Sequence, residues 1–272
     1  MPQRPIEIIL AQQLASYLAV PMLIVDRELN LLYFNESAEP ILGRRFEETG
    51  EIRRGEWNNL LRPTDANGSP LPREEQVLVR AIERKEPSHR RSWLTGLDGV
   101  ARVVEGLGFP LETVEDGLLG AVVTFWEVGE PTIAASPPKR LSGSGHPVEV
   151  ILLRRLFDRL TMPAFVIDAK GRLIFYNPAA EPLIGRPYDQ LGPVELRDWY
   201  ETFHPTDEDG SPIKREDHPM YVAMRRLQPS YRRFHYQGLD GVKRLAEGTA
   251  FPLVGQCHRH LGAVGIFWEG SR

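Results

Sequence analysis

The sequence predicts an α+β protein built from two copies of one domain, and three observations support this class. The segment "FYNPAAEPLIG" at 175–185 has a copy, "YFNESAEPILG", at 33–43, and a single ungapped offset of 142 positions aligns most of one half with the other. Within each half the predicted order is a helix, two strands, several short helices and three strands. A chain of 272 residues is long enough for two domains that each bury a core.

The segment between the two copies has the composition of a linker. Residues 129–146 read "GEPTIAASPPKRLSGSGH" and are rich in Pro, Gly and Ser. We therefore predict a first domain over 1–128 and a second domain over 147–272. Each copy is too long to be a solenoid unit, so we expect each domain to fold around its own core.

A helix is predicted at the start of each domain, because apolar residues recur there at helical spacing. These leading helices have apolar surface to spare. We expect them to pack on another sheet, either within the chain or across a homodimer. The residues predicted to make this contact are Leu10, Leu14 and Leu18 in the first copy and Leu152, Leu156 and Leu160 in the second.

A β-hairpin and a group of short helices are predicted next. The runs "AFVID" and "LIFYN" are strands separated by turn residues. We expect Asn177 to cap the short helix that follows and Gly185 to end it. A further helical piece carries Trp57 in the first copy and Trp199 in the second, and "PTDEDGSP" is a turn-rich loop. The run "REDHPMYVAMRRL" is predicted as one helix.

Three antiparallel strands are predicted to close each domain, and the "GLDG" turn joins the first two of them. With the hairpin these strands form a five-stranded antiparallel sheet, and the helices gather on one face of it.

A carboxylate interrupts a mostly apolar strand face at the same place in both copies. Folding across the "GLDG" turn places each carboxylate opposite one of two consecutive arginines. We predict the cross-strand ion pairs Arg91–Glu105 and Arg233–Glu247. One interpretation is a structural salt bridge; the other is an anchor for a polar ligand or a charge relay to a partner subunit.

Composition and charge indicate a cytoplasmic protein. The net charge of −4 provides no basic field for nucleic acid. The single cysteine, Cys257, excludes an intramolecular disulfide and favours a reducing compartment. The amino-terminal segment lacks the continuous apolar core of a signal peptide, and the longest apolar run, 118–126, is too short to span a membrane.

Four patterns recur in order in each copy, and in them the sequence resembles the PAS sensory-domain family. They are the entry strand "P-x-x-V/I-x-D", the junction "Y/F-N-x-x-A-E", the hairpin "D-G-x-x-R" and the closing strand "G-A-V-x-x-F-W-E". The run "DEDGSPIKREDHPMYVAMR" also looks like the loop and long helix of bacterial PAS domains. The resemblance covers nearly the whole chain, once per copy.

This resemblance implies a small internal cavity, used for sensing, and dimerisation, with no catalysis. PAS domains usually feed a kinase, cyclase or DNA-binding output, so the resemblance implies a separate signalling protein as partner. The residues show no nucleophile–base pair, phosphate-binding loop or zinc-binding pattern, and we expect no enzyme activity.

The second copy is the one in which we expect a ligand, because it carries several histidines that the first copy lacks. The residues predicted to line the site are Trp199, His218, Tyr221, Arg233, His235 and Glu247. Haem-binding PAS domains take an iron ligand from the helix that begins here, but Pro219 places His218 at the helix start. The run "CHRH" at 257–260 offers soft metal ligands without a distant partner, so no metal site is predicted and the cofactor is unknown.

Three functions compete at this stage. The first is a cytoplasmic sensor that binds a small molecule or cofactor and signals through dimerisation or a partner protein. The second is a ligand-free dimerisation adaptor for a separate kinase or transcription regulator. The third is an enzyme, for which we expect hydrolase and redox assays to be silent. A haem-based redox or gas sensor is a further alternative.

Overall fold

A computed structural model of the protein describes residues 4–56, 62–128, 147–255 and 259–270. The chain divides into two compact units, Met1–Thr132 and Ile133–Arg272. The predicted linker at 129–146 lies outside the described residues, as does Trp57. None of the helices among the described residues is both long and apolar enough to cross a membrane.

The first unit follows the predicted order of elements. Its helices are α1 (Ile6–Tyr17), α2 (Glu39–Leu42), α3 (Phe46–Thr49) and α4 (Val77–Glu83). Its strands are β1 (Met22–Asp26), β2 (Leu31–Phe34), β3 (Pro63–Thr64), β4 (Ser88–Thr95), β5 (Ala101–Thr113) and β6 (Gly117–Glu127).

The second unit has the same order, except that its two-residue strand comes before the helix that carries Trp199. Its helices are α5 (Val148–Phe157), α6 (Glu181–Ile184), α7 (Tyr188–Leu191), α8 (Leu196–Phe203) and α9 (Pro219–Tyr221). Its strands are β7 (Ala164–Asp168), β8 (Arg172–Tyr176), β9 (Val194–Glu195), β10 (Ser230–Gln237), β11 (Lys243–Gly255) and β12 (Arg259–Glu269).

Each unit contains one antiparallel sheet, as predicted, but with six strands instead of five. The orders are β2-β1-β6-β5-β4-β3 and β10-β11-β12-β7-β8-β9. The additional strands, β3 and β9, have only two residues each, which is too short for any periodicity to predict them. Side chains from the short helices and from one face of each sheet form the unit's core.

The leading helices bury most of the residues that were predicted to make the packing contact. Four of the six predicted contact residues are buried, and Leu10 and Leu152 are only half-buried. The buried face also includes small and acidic side chains such as Ala11 and Glu149. The exposed apolar residues of the two helices are Ile6, Ile9, Val148 and Ile151.

Asn177 does not cap the helix that follows it, contrary to the prediction. Its side chain is fully buried, and its Oδ1 accepts a hydrogen bond from the backbone N–H of Ala164 at 2.9 Å. Its Nδ2 group faces the carbonyls of Phe157, Leu160 and Met162, at 2.9, 3.3 and 2.7 Å. The amide therefore joins the end of α5 to the first strand of the sheet.

The first copy has the same arrangement. Asn35 accepts from the N–H of Met22 at 2.9 Å, and its Nδ2 faces the carbonyls of Ala15, Leu18 and Val20 at 3.0, 3.1 and 2.8 Å. A buried amide with every group satisfied is stabilising, because each of these backbone groups would otherwise be desolvated without a partner.

Gly185 ends helix α6 as predicted. Because it has no side chain, it also leaves room for the "GLDG" turn that packs against it. Its φ of +86° is left-handed, and a Cβ there would lie 2.6 Å from the backbone nitrogen of Asp240. The Leu239 N–H donates to the carbonyl of Ile184 at 2.8 Å. Asp240 itself pairs with Arg244, four residues on, which explains the repeated pattern "D-G-x-x-R".

The single helix predicted over "REDHPMYVAMRRL" is broken in the structure. It consists of a 3-10 turn at Arg215–Asp217, helix α9 and a π-helical turn at Val222–Arg226. His218 has extended backbone angles (φ −73°, ψ 133°) because the proline that follows disfavours a helical conformation at that position.

Candidate functional site

A small cavity lies between the sheet and the short helices of the second unit. Its volume is about 60 Å³. Helix α8 contributes Trp199 and Phe203, and strand β10 contributes Phe234 and Tyr236. The cavity is therefore lined mainly by aromatic rings.

His218 is a polar residue in this aromatic lining. Its Nδ1 accepts a hydrogen bond from the backbone N–H of Met220 at 3.4 Å. Its ring meets those of Tyr200 and Phe234 edge-on, with centroids 6.0 and 5.5 Å away. Burial, with a smaller contribution from the charge of Arg232, lowers the pKa of His218 to about 4.

The lowered pKa predicts a loss of stability at mildly acidic pH. Because the folded-state pKa lies below the ordinary 6.5, the unfolded chain takes up the proton first as the pH falls. His218 therefore does not lower the free energy of unfolding above about pH 6.5. The loss of stability that it causes grows as the pH falls towards 4 and reaches about 3 kcal/mol. Urea unfolding at pH 7 and 4.5 should show a stability loss that is about 2 kcal/mol smaller in His218→Gln, which carries the first copy's residue.

The control for this measurement is His204→Asn, at an exposed histidine. It should retain the full loss between pH 7 and 4.5. If the wild-type chain and His218→Gln lose equal stability, the assignment to His218 is wrong.

The first unit has a cavity at the equivalent place, with a volume of about 110 Å³. Gln76 stands at the position of His218, and Phe125 at the position of Phe267. Arg90 lies in the lining and forms a 2.5 Å ion pair with Glu75. This cavity is more polar than the second, because the Arg90–Glu75 pair lines it and Ser92 takes the place of Phe234. Leu94 takes the place of Tyr236.

The structure places two of the six predicted ligand residues, Trp199 and His218, at the second cavity. Arg233, His235 and Glu247 do not line it. Successive side chains of a strand point to opposite faces, and here Phe234 takes the inner face. The sequence of β10 mixes polar and aromatic residues on both faces, so this choice was not readable from the sequence.

Tyr221 also lies away from the cavity lining. Its ring centroid is 6.4 Å from that of Tyr200. The guanidinium of Arg215 lies over both rings, at 5.7 Å from Tyr200 and 5.6 Å from Tyr221. These three residues form a cation–π group beside the cavity.

The predicted strand register at the repeated carboxylates is present. Arg91 stands opposite Glu105, and Arg233 stands opposite Glu247. Neither pair is among the ion pairs found within the described residues; Arg233 Nε instead lies 3.9 Å from Glu208.

The close contacts of these carboxylates are with aromatic neighbours. His89 Nε2 lies 3.6 Å from Glu105 Oε2, and the Tyr231 hydroxyl donates to Glu247 Oε2 at 2.8 Å. The contact with His89, assisted by the charge of Arg91, lowers the pKa of Glu105. Burial and the bond to Glu247 raise the pKa of Tyr231.

Metal binding finds no support in the described part of the chain, where no three His, Cys, Asp or Glu side chains come together. Cys257 and His258 of the "CHRH" run lie outside it.

Two family models match the sequence, and both describe a PAS domain. One covers residues 19–128 and the other covers residues 151–217. No curated protein matches the chain.

Many solved structures resemble the chain. One is the PAS domain of a Colwellia psychrerythraea protein (18% identity, 44% of this chain and 96% of that chain, TM-score 0.33). Another is an RNA-binding light-oxygen-voltage receptor (11% identity, 92% of this chain and 95% of that chain, TM-score 0.35). A third is the PAS domain of nitrogen regulation protein NR(II) from Vibrio parahaemolyticus (16% identity, 44% of this chain and 98% of that chain, TM-score 0.33). At these identities and scores the structures carry no argument about function.

Proposed function

Because this chain belongs to the PAS domain family and is thereby a sensory signalling protein, we propose that it binds a small molecule inside its repeats and signals through self-association. The observation that supports ligand binding is the pair of equivalent cavities. Each lies between sheet and helices, and each has a polar side chain, Gln76 or His218, at the same place in its lining.

The cavity volumes limit the size of the ligand. An apolar cavity of about 150 Å³ accommodates benzene, and pockets for larger ligands measure roughly 300–1,000 Å³. Volumes of about 60 and 110 Å³ hold neither a flavin nor a haem in the arrangement described here. The proposed ligand is therefore a small molecule, or one of which only a part enters the cavity.

Self-association is supported by the exposed apolar residues of the leading helices. Ile6 and Ile9 in α1 are 55% and 39% exposed, and Val148 and Ile151, at the equivalent positions of α5, are 50% and 43% exposed. Burying such a side chain contributes about 1.5–3 kcal/mol. We propose that these faces meet in a homodimer, so that a ligand that shifts the helices changes the association.

The small volumes also favour a second candidate, a ligand-free adaptor that acts only through its surfaces. Native mass spectrometry of the freshly purified full chain separates the two. We expect a dimer that carries a small compound in near-stoichiometric amount. A dimer without any compound would instead support the adaptor.

The same measurement on Ile151→Glu tests the interface. We expect a monomer, because the substitution places a charge on the apolar face that would be buried. Val114→Glu is the matched control, since Val114 is 90% exposed and lies outside the leading helices. A dimer that survives Ile151→Glu and Ile9→Glu together would overturn the proposed interface.

A further inference from the structure

A second space adjoins the cavity of the first unit. It measures about 320 Å³. Leu29, Pro63, Gln76 and Val79 line both this space and the cavity, so the two share a wall. We call this second space the vestibule.

The vestibule is rich in positive charge. Among the described residues that line it, three are arginines and none is acidic: Arg54, Arg62 and Arg73. Arg73 forms an ion pair with Glu83. Arg54 is held by a 3.0 Å hydrogen bond from its backbone N–H to Asn30 Oδ1, and its guanidinium has no ion pair within the described part of the chain.

The second unit has an arginine at only one of the three equivalent positions. Leu196 stands in place of Arg54 and is buried in the core, and His204 stands in place of Arg62. Arg215, in place of Arg73, lies over the rings of Tyr200 and Tyr221. Arg54 and Arg62 are therefore not a requirement of the shared fold.

Leu29 adds an independent observation. It has a φ of +65°, an unusual conformation for a branched apolar residue, where the second copy has Gly171 at φ +88°. The Asp26 carboxylate holds this turn by accepting from the N–H groups of Glu28 and Asn30, at 3.0 and 2.8 Å. The first copy therefore has a side chain at a strained backbone position where the second copy has none. The Leu29 side chain is 4% exposed and forms part of the wall that the cavity and the vestibule share.

We propose that the first unit binds an amphipathic anion, with its apolar end in the cavity and its carboxylate or phosphate group among the vestibule arginines. Guanidinium groups bind both kinds of anion through paired, charge-assisted hydrogen bonds. The inference rests on the proposed function, because it names the class of small molecule that the first repeat senses.

Isothermal titration of the full chain with butyl, hexyl and octyl compounds tests the class. For each chain length the probes are the carboxylate, the phosphate monoester, the neutral alcohol and the ammonium. We expect a carboxylate or a phosphate to bind at least tenfold more tightly than the alcohol of the same length, and its affinity to fall with added salt. The carboxylate and phosphate arms identify the head group.

Variants locate the binding. Arg54→Gln and Arg73→Gln should each weaken the anion about tenfold and leave the alcohol unchanged, whereas Glu83→Gln should strengthen it by releasing Arg73. Arg215→Gln, at the equivalent position of the second unit, is the control and should have no effect.

Two results overturn the inference. One is equal affinity for the alcohol and the anions, which would leave small-molecule binding intact and remove the role of the arginines. The other is an equal loss from Arg73→Gln and Arg215→Gln. If no probe binds and the purified dimer carries no compound, the proposed ligand function fails as well.

Discussion

Asn177→Asp should destabilise the second unit by at least about 3 kcal/mol, the largest effect we expect from any near-isosteric substitution in the chain. The asparagine donates to three backbone carbonyls that are fixed by the end of α5 and the segment after it. An aspartate has the same shape but no donor. It would place a buried carboxylate against three carbonyl oxygens, so it must either remain charged among them or take up a proton.

Chemical denaturation with a probe in each unit measures this effect. Asn35→Asp should destabilise the first unit similarly, because its partners are the same backbone groups. Asn67→Asp makes the same chemical change on an exposed loop and should alter the free energy of unfolding by less than about 0.5 kcal/mol. A loss below 1 kcal/mol for Asn177→Asp would contradict the assigned role of the amide.

Gly262→Ala should cost several kcal/mol and prevent the normal pairing of β12 with β7. Gly262 pairs with Asp168 and has a φ of +140°, and a Cβ there would lie 1.8 Å from the carbonyl oxygen of Ile167. Backbone atoms of a central strand cannot move away without breaking the sheet, so the strain is expected to exceed the ~1–3 kcal/mol of ordinary overpacking.

The first copy has the same close approach. A Cβ on Gly120 would lie 2.1 Å from the carbonyl oxygen of Val25, so Gly120→Ala should be comparably severe. Gly106→Ala is the matched control, since the nearest heavy atom to its Cβ would be 3.8 Å away. Thermal unfolding of the three variants checks the order. If Gly262→Ala has the same melting temperature as Gly106→Ala, strands β12 and β7 are less closely spaced than described.

Much of the fold could be predicted because the duplication supplied two readings of one pattern. The strands, the "GLDG" turn and the Glu105 and Glu247 registers follow from local alternation and turn chemistry. The role of Asn177 could not be predicted, because its partners belong to segments 13 to 20 residues away. Asparagine before a helix is also a good cap, so the local interpretation was the natural one.

The candidate sites were harder to predict than the fold. Trp199 and His218 were placed at the cavity, but strand β10 gave no indication of which face turns inward. Helix α9 begins only after His218, whose backbone is extended, so helical spacing from His218 did not predict that Tyr221 lies outside the lining. The sequence does not predict the vestibule, because Arg54, Arg62 and Arg73 are spaced irregularly along the chain and come together only in the folded structure.

The buried asparagine sets how the leading helix can move. The carbonyls bound by Nδ2 come from the end of α5 and from the residues between that helix and strand β7. Asn177 itself directly follows strand β8 and accepts a hydrogen bond from Ala164 of β7. Sliding the helix along the sheet would break several hydrogen bonds at once, whereas pivoting it about the amide would keep them. The end of helix α5 is therefore held at the amide. A displacement of strand β7 would change the angle of the helix and would move its amino-terminal end the most.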